Sequence, residues 1–218
     1  INFIEQLING LRTGSIYALI AIGYTMVYGI AKMINFAHGD IIMVGAYALY
    51  FSISVLGLPV PVALVITVIV CAVLGVVIEK VAYKPLRSAP PLAVLITAIG
   101  MSFFLQSASL LIFGSTPIPF QSVIPNVNIS VGPVVISSIT VVTLIVTAVA
   151  MILLTLFVNK TKMGSAMRAV SEDKGAAELM GINVNSTISL TFAIGSALAA
   201  VAGVLYICQY QSMKPTLG

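Results

Sequence analysis

The chain has 218 residues, 60% of them hydrophobic and 7% charged, with a mean hydropathy of +1.15. That balance excludes an ordinary soluble domain. The net charge of +4 comes from Lys and Arg in two loops, so it bears on membrane orientation and not on nucleic acid.

The opening residues lack the basic start and small-residue cleavage pattern of a signal peptide. The chain opens without Met and closes at Gly218 just after a span, which reads as a fragment with further spans expected beyond it. A bilayer crossing takes roughly 20 apolar residues. Six stretches qualify: about Gly14 to Ile30, Ile41 to Leu56, Pro59 to Ile78, Leu92 to Phe113, Val134 to Val158 and Ser186 to Ile207. Helices are expected, because open strands leave backbone groups unpaired in lipid. The fold expected is therefore an all-α polytopic transmembrane bundle, one domain over residues 1–218 with a water-facing loop at 159–185. Cys71 and Cys208 each lie in or at the end of an apolar run and read as small core residues. With no Trp, the Tyr residues must supply interfacial anchors.

The loops set the orientation. Glu79 to Pro91 carries Lys80, Lys84 and Arg87, and the 159–185 loop carries Lys160, Lys162, Arg168 and Lys174, whereas Gly114 to Pro133 carries no charge. The positive-inside rule puts the two basic loops in the cytoplasm and the N-terminus outside. Arg12 is an exception, expected to be offset by Glu5. In the outer loop Val127, Ile129 and Val131 alternate with Asn128 and Ser130, the period of a short strand in a hairpin. Gly195, Ala199 and Gly203 recur at every fourth position of the sixth span, a spacing that lets helices approach closely in lipid. Gly10 and Gly14 repeat it near the first span. Packing within one subunit and packing between subunits both account for such a stripe.

The segment Asn35 to Asp40 interrupts two apolar runs with Asn35, His38, Gly39 and Asp40, around the aromatic Phe36. An Asp at a helix centre costs about 2.5 to 3.5 kcal/mol on insertion scales. The segment is therefore either a turn at the water boundary, with Asp40 at the positive end of the second helix, or a broken, re-entrant element lining a translocation pathway. His38 is the sole histidine, which excludes a multi-histidine metal site, and no nucleophile and base occur together. The spans contain no charged pair of the kind an ion-coupled carrier uses; their polar groups are residues such as Thr67, Thr97, Gln106 and Ser107. No G-x-x-x-x-G-K-[ST] loop is present, so the chain does not bind ATP in that way.

The largest polar stretch runs from Asn159 to Asn185. Ser171 is a candidate N-cap, Glu172 and Asp173 suit a first turn, and Gly181 suits the left-handed position past a helix end. A helix over Glu172 to Met180 is expected. It is too short to stand alone in water, and Gly175, Ala176 and Ala177 would let another surface come close. A solvated loop with one helical turn is the plainer alternative.

This stretch resembles the EAA coupling loop of ABC-importer permeases: Ala176, Ala177 and Gly181 match, while Gly175 stands where the motif has Glu. Tyr24 to Gly29 (YTMVYG) and Met33 to Asp40 (MINFAHGD) closely resemble the LivH-type permeases of branched-chain amino acid ABC importers, and the similarity runs from Asn2 to Gly218. The resemblance implies a bacterial inner-membrane permease subunit that is not itself an enzyme. It implies as partners a second, LivM-like permease, two cytoplasmic ATPase subunits and an external substrate-binding protein, all in a lipid membrane and without nucleic acid. It implies no cofactor on this chain, with ATP and Mg on the ATPases. Gly175, Ala176, Ala177, Glu178 and Gly181 would dock on an ATPase, Glu178 supplying the polar contact. A permease for urea or short amides shares this pattern; an ion-coupled carrier or channel is a rival of another class.

Overall fold

The computed structural model describes residues 2–125, 127–131 and 134–215. Its helices are α1 (Asn2–Ala31), α2 (Ala37–Tyr50), α3 (Val60–Ile78), α4 (Pro91–Phe113), α5 (Ser138–Lys160), α6 (Lys162–Glu172), α7 (Lys174–Leu179) and α8 (Val184–Tyr210). Among the described residues, six helical stretches are long and apolar enough to cross a membrane: Phe3–Ala31, Ala37–Val55, Val60–Leu86, Pro91–Phe113, Ser138–Lys160 and Val184–Tyr210. They correspond to the six expected spans.

The boundaries differ for local reasons. Prolines open α3 and α4, where a fixed φ and a missing N–H suit the first turn. The third span does not stop at Ile78; it continues through a π-helical turn (Glu79–Tyr83) and a 3-10 turn (Lys84–Leu86). Glu79, expected in a loop, is consequently buried in that continuation. The fifth span starts at Ser138, with Ser137 as N-cap, because the residues before it are a strand.

That strand is β3 (Val134–Ser137), which pairs antiparallel with β2 (Asn128–Val131) in the register Asn128 to Ser137. The expected hairpin thus exists, and its second arm comes from residues expected in the fifth span. A second two-stranded pairing joins β1 (Ile118–Pro119) to β4 (Ser212–Met213), and the Phe120 N–H donates to the Gln211 carbonyl at 3.0 Å. The uncharged loop is therefore pinned to the far end of α8.

Helix α8 is the centre of the bundle. A Cβ at Gly195 would lie 2.8 Å from Val27 Cγ2 and 3.1 Å from the Gly23 carbonyl oxygen, and one at Gly203 would lie 2.5 Å from the Ile42 carbonyl oxygen. Ala199 between them is fully buried. These small residues bring α8 against α1 and α2 of the same chain, where backbone approach replaces side-chain interdigitation. Gly75 of α3 meets Ser196 and the Phe192 carbonyl on the same helix. Gly10 and Gly14 share the spacing but not the packing: a Cβ at either meets nothing within 4 Å. Cys71 and Cys208 are free and buried. By contrast 17% of the α4 window and 11% of the α5 window are buried, so their apolar flanks face outward, as lipid or another subunit requires.

Candidate functional site

Two polar features lie on or near the basic end of the bundle. The first is the break between α1 and α2. Helix α1 closes at Ala31; Lys32 then takes a left-handed φ of 58° while its N–H still donates to the Tyr28 carbonyl at 2.9 Å. The chain leaves helical geometry until Ala37. The His38 ring lies against Gly23, where a Cβ would stand 3.0 Å from its Cε1. Gly23 precedes Ala31 by eight residues, about 12 Å of helix rise. After Ala31 the chain therefore doubles back alongside α1, and α2 begins about two turns inside its end.

The side chains of this break point inward. Asn35, His38 and Asp40 are 2%, 2% and 1% exposed. Buried polar groups need partners; the π turn supplies one to Asn35 and α4 supplies one to Asp40, whereas His38 Nε2 is left without a hydrogen-bond partner. The Tyr83 hydroxyl donates to Asn35 Oδ1 at 3.0 Å, and Gln106 Nε2 donates to Asp40 Oδ1 at 3.0 Å. Gln106 also reaches Ser102 Oγ at 3.2 Å. Tyr24 meets His38 edge to face, with centroids 6.1 Å apart. Gly39 is half-buried and Phe36 is exposed. The break is thus buried against α1, α4 and the π turn, and Asp40 lies in the first turn of α2. Of the other polar residues singled out, Thr67 is buried and donates to the Ala63 carbonyl of its own helix at 2.8 Å, Thr97 is half-buried, and Ser107 is exposed.

The second feature is the 159–185 loop, which holds two helices where one was expected. The Thr161 hydroxyl caps α6, accepting from the Gly164 N–H at 3.0 Å. Gly164, Met167 and Val170 form its buried stripe, the spacing of an amphipathic helix. Ser171 does not cap: it lies inside α6 and its hydroxyl donates to the Arg168 carbonyl at 2.7 Å. Asp173 caps α7 instead, accepting from the Ala176 N–H at 3.0 Å. The extended φ of −149° at Asp173 interrupts the helix, which is why α7 runs over Lys174–Leu179 and not Glu172 to Met180. Gly181, at φ 82°, takes the left-handed position expected, its N–H donating to the Glu178 carbonyl at 2.9 Å.

Within α7 the expected contact residues divide. Ala177 is 4% exposed and packs into the core, whereas Gly175, Ala176, Glu178 and Gly181 face out. Beside them Leu179 and Met180 are 90% and 83% exposed, an apolar pair the sequence reading did not single out. Lys174 turns the other way: its Nζ donates to the Ala31 carbonyl at 2.7 Å. Burial, then the charges of Arg87 and Lys32, lower its pKa from the usual 10.5. Tyr28, Lys32, Leu86, Arg87 and Lys174 border a cleft of about 390 Å³.

A polar cluster joins the other basic loop to α8. Arg87 donates to Glu79 and to Asn185 Oδ1, and Ser189 Oγ donates to Glu79 Oε2 at 2.6 Å. Arg87 and Glu79 form the one ion pair among the described residues. Arg12 is not paired with Glu5; its guanidinium donates to Thr140 Oγ1 at 3.3 Å. No group of three or more metal-ligating side chains occurs among the described residues.

Six helices long and apolar enough to cross a membrane, a buried polar break and a short capped helix at the bundle's basic end define a polytopic membrane protein. Residues 6–218 match the family model described as branched-chain amino acid transport system / permease component, and the chain belongs to that family. It is 45% identical over 229 residues to the high-affinity branched-chain amino acid transport system permease protein BraD of Pseudomonas aeruginosa, spanning 100% of this chain and 75% of that protein. It is 44% identical over 231 residues to the high-affinity permease LivH of Escherichia coli K12, with 99% and 74% covered. A more distant relative is the ribose import permease RbsC of Haemophilus influenzae, 28% identical over 221 residues, with 99% of this chain and 64% of that protein covered. No solved structure matches the chain.

Proposed function

We propose that this chain is a membrane-spanning subunit of an ATP-driven importer that carries leucine, isoleucine and valine into the cell. The observation that carries the substrate is the likeness along this whole chain, at 44–45% identity, to permeases named for branched-chain amino acids. Ribose permease RbsC lies much farther off. The architecture is compatible with the partners that the family likeness suggests. The outward apolar flanks of α4 and α5 suit a second permease subunit. Helix α7, with Glu178, Leu179 and Met180 outward, suits a groove on one of the two ATPases that hold ATP and Mg. An external binding protein would deliver substrate to the end carrying the β2–β3 hairpin. In this orientation the N-terminus is outside and α6–α7 are cytoplasmic, since the basic residues gather there. Asn35, Phe36, His38, Gly39 and Asp40 then border the pathway from the cytoplasmic half.

Uptake of labelled leucine by membrane vesicles holding the full importer tests the reading. Competition by isoleucine and valine, and none by urea or ribose, is the expected result. Competition by urea or ribose and none by isoleucine or valine would move the chain to another substrate class.

A further inference from the structure

We infer that Lys174 is a positioning residue for coupling, tying the first turn of α7 to the end of α1 so that a displacement of α7 reaches the buried Asn35–Asp40 break. This rests on the proposal that α7 is the element an ATPase moves. A six-residue helix does not hold its own place; α7 is held by its neighbours. Ala177 supplies apolar burial, and the Ile182 N–H donates to the Ala177 carbonyl at 3.0 Å. Lys174 supplies the contact with a part of the chain 143 residues away.

The acceptor matters as much as the donor. Ala31 is the last residue of α1, so its carbonyl is among those a helix leaves without an internal partner. A cation there also meets the negative end of the helix dipole, and a charged donor makes the stronger kind of hydrogen bond. A lysine of a solvated loop would extend its ammonium into water. Lys174 is instead half-buried and aimed inward, although Lys32 and Arg87 face it. One residue beyond Ala31 the chain turns left-handed at Lys32. Three residues later Asn35 is fixed by Tyr83, and His38 is set against Gly23. A pull on Ala31 is thus a pull on the start of the break, whereas the rest of α1 is clamped to α8 through Gly23 and Gly195.

The test uses the complete importer in proteoliposomes, with substrate transported per ATP hydrolysed as the readout. Coupling free energies between sites typically correspond to 5-fold to 150-fold. Lys174→Met is expected to leave assembly and ATP hydrolysis in place and to lower that ratio at least about 5-fold. Lys174→Arg, which keeps a charged donor, is expected to retain most of it. An unchanged ratio in Lys174→Met overturns the inference. So does a Lys174→Met protein that fails to assemble while Lys174→Arg assembles, because the ammonium would then serve folding alone. The ratio is taken for whichever substrate the unaltered complex carries. A wrong leucine assignment therefore shows in the unaltered protein, and a wrong role for Lys174 shows only in the variants.

Discussion

At the scale of single residues, the buried charges are the most exposed to test. Glu79 is fully buried and its compensation comes from Arg87 and Ser189. Removing one partner of a buried pair leaves the other uncompensated, at about 3–5 kcal/mol, whereas removing both costs less. Arg87→Met is therefore expected to lower the detergent melting temperature more than the double variant Glu79→Gln/Arg87→Met does. Equal losses would mean that the pair contributes nothing beyond each residue's own packing. Gly203 is a second point. Its added methyl would stand 2.5 Å from a backbone oxygen of α2, which cannot rotate away, so Gly203→Ala should cost about 1–3 kcal/mol as overpacking does. A melt like that of the unaltered protein would show that α2 yields. Lys174 gives a pH dependence with a definite sign. Its folded pKa lies below 10.5, so between the two values the unfolded chain binds more protons than the folded one. Stability then rises with pH through that window. Lys174→Met should flatten that rise in melts taken at successive alkaline pH values; an unaltered slope would assign it to another group.

At the scale of elements, α7 has one buried face, at Ala177, and one exposed face, at Leu179 and Met180, to which the proposed function assigns separate roles. Leu179→Asp places a charge in the outward apolar pair, and about a 10-fold weaker recovery of ATPase subunits is expected with the permease itself still folded; a tenfold change is 1.4 kcal/mol. Ala177→Arg acts on the inner face, where a long cation cannot be buried without a partner. It should loosen α7 from α6 and α8, seen as faster proteolysis at the loop, and so abolish uptake by a route other than blocked docking. Undiminished recovery of ATPases with Leu179→Asp would contradict the division of faces. How legible these elements were varies with the range of the interactions. The six spans follow from apolar runs, and the Gly181 turn follows from local backbone preference. The cap at Asp173 was missed because Ser171, Asp173 and Thr161 all have capping side chains, and what chooses among them is where Met167 and Val170 must face. The partner strand Val134–Ser137 reads as apolar as the helix it leads into, so periodicity over four residues could not separate them.

At the scale of the molecule, the arrangement is a bundle built around α8, with its charged residues gathered largely at one end and its buried polar break near that end. The stripe Gly195, Ala199, Gly203 was visible in sequence, and so was the polar run from Asn35 to Asp40. Their meaning was not, because it depends on contacts 48, 66 and 143 residues apart in Tyr83–Asn35, Gln106–Asp40 and Lys174–Ala31. Side chains with no local signature make all three. Under the proposed function, these contacts are the route by which work done on the loop would enter the membrane. The most direct measurement is leucine accumulation in proteoliposomes holding this chain with its partner permease, ATPases and binding protein, with and without ATP inside a lumen topologically equivalent to the cytoplasm. The account predicts accumulation that needs ATP and every partner. Accumulation by this chain alone, driven by an ion gradient and indifferent to ATP, would contradict it.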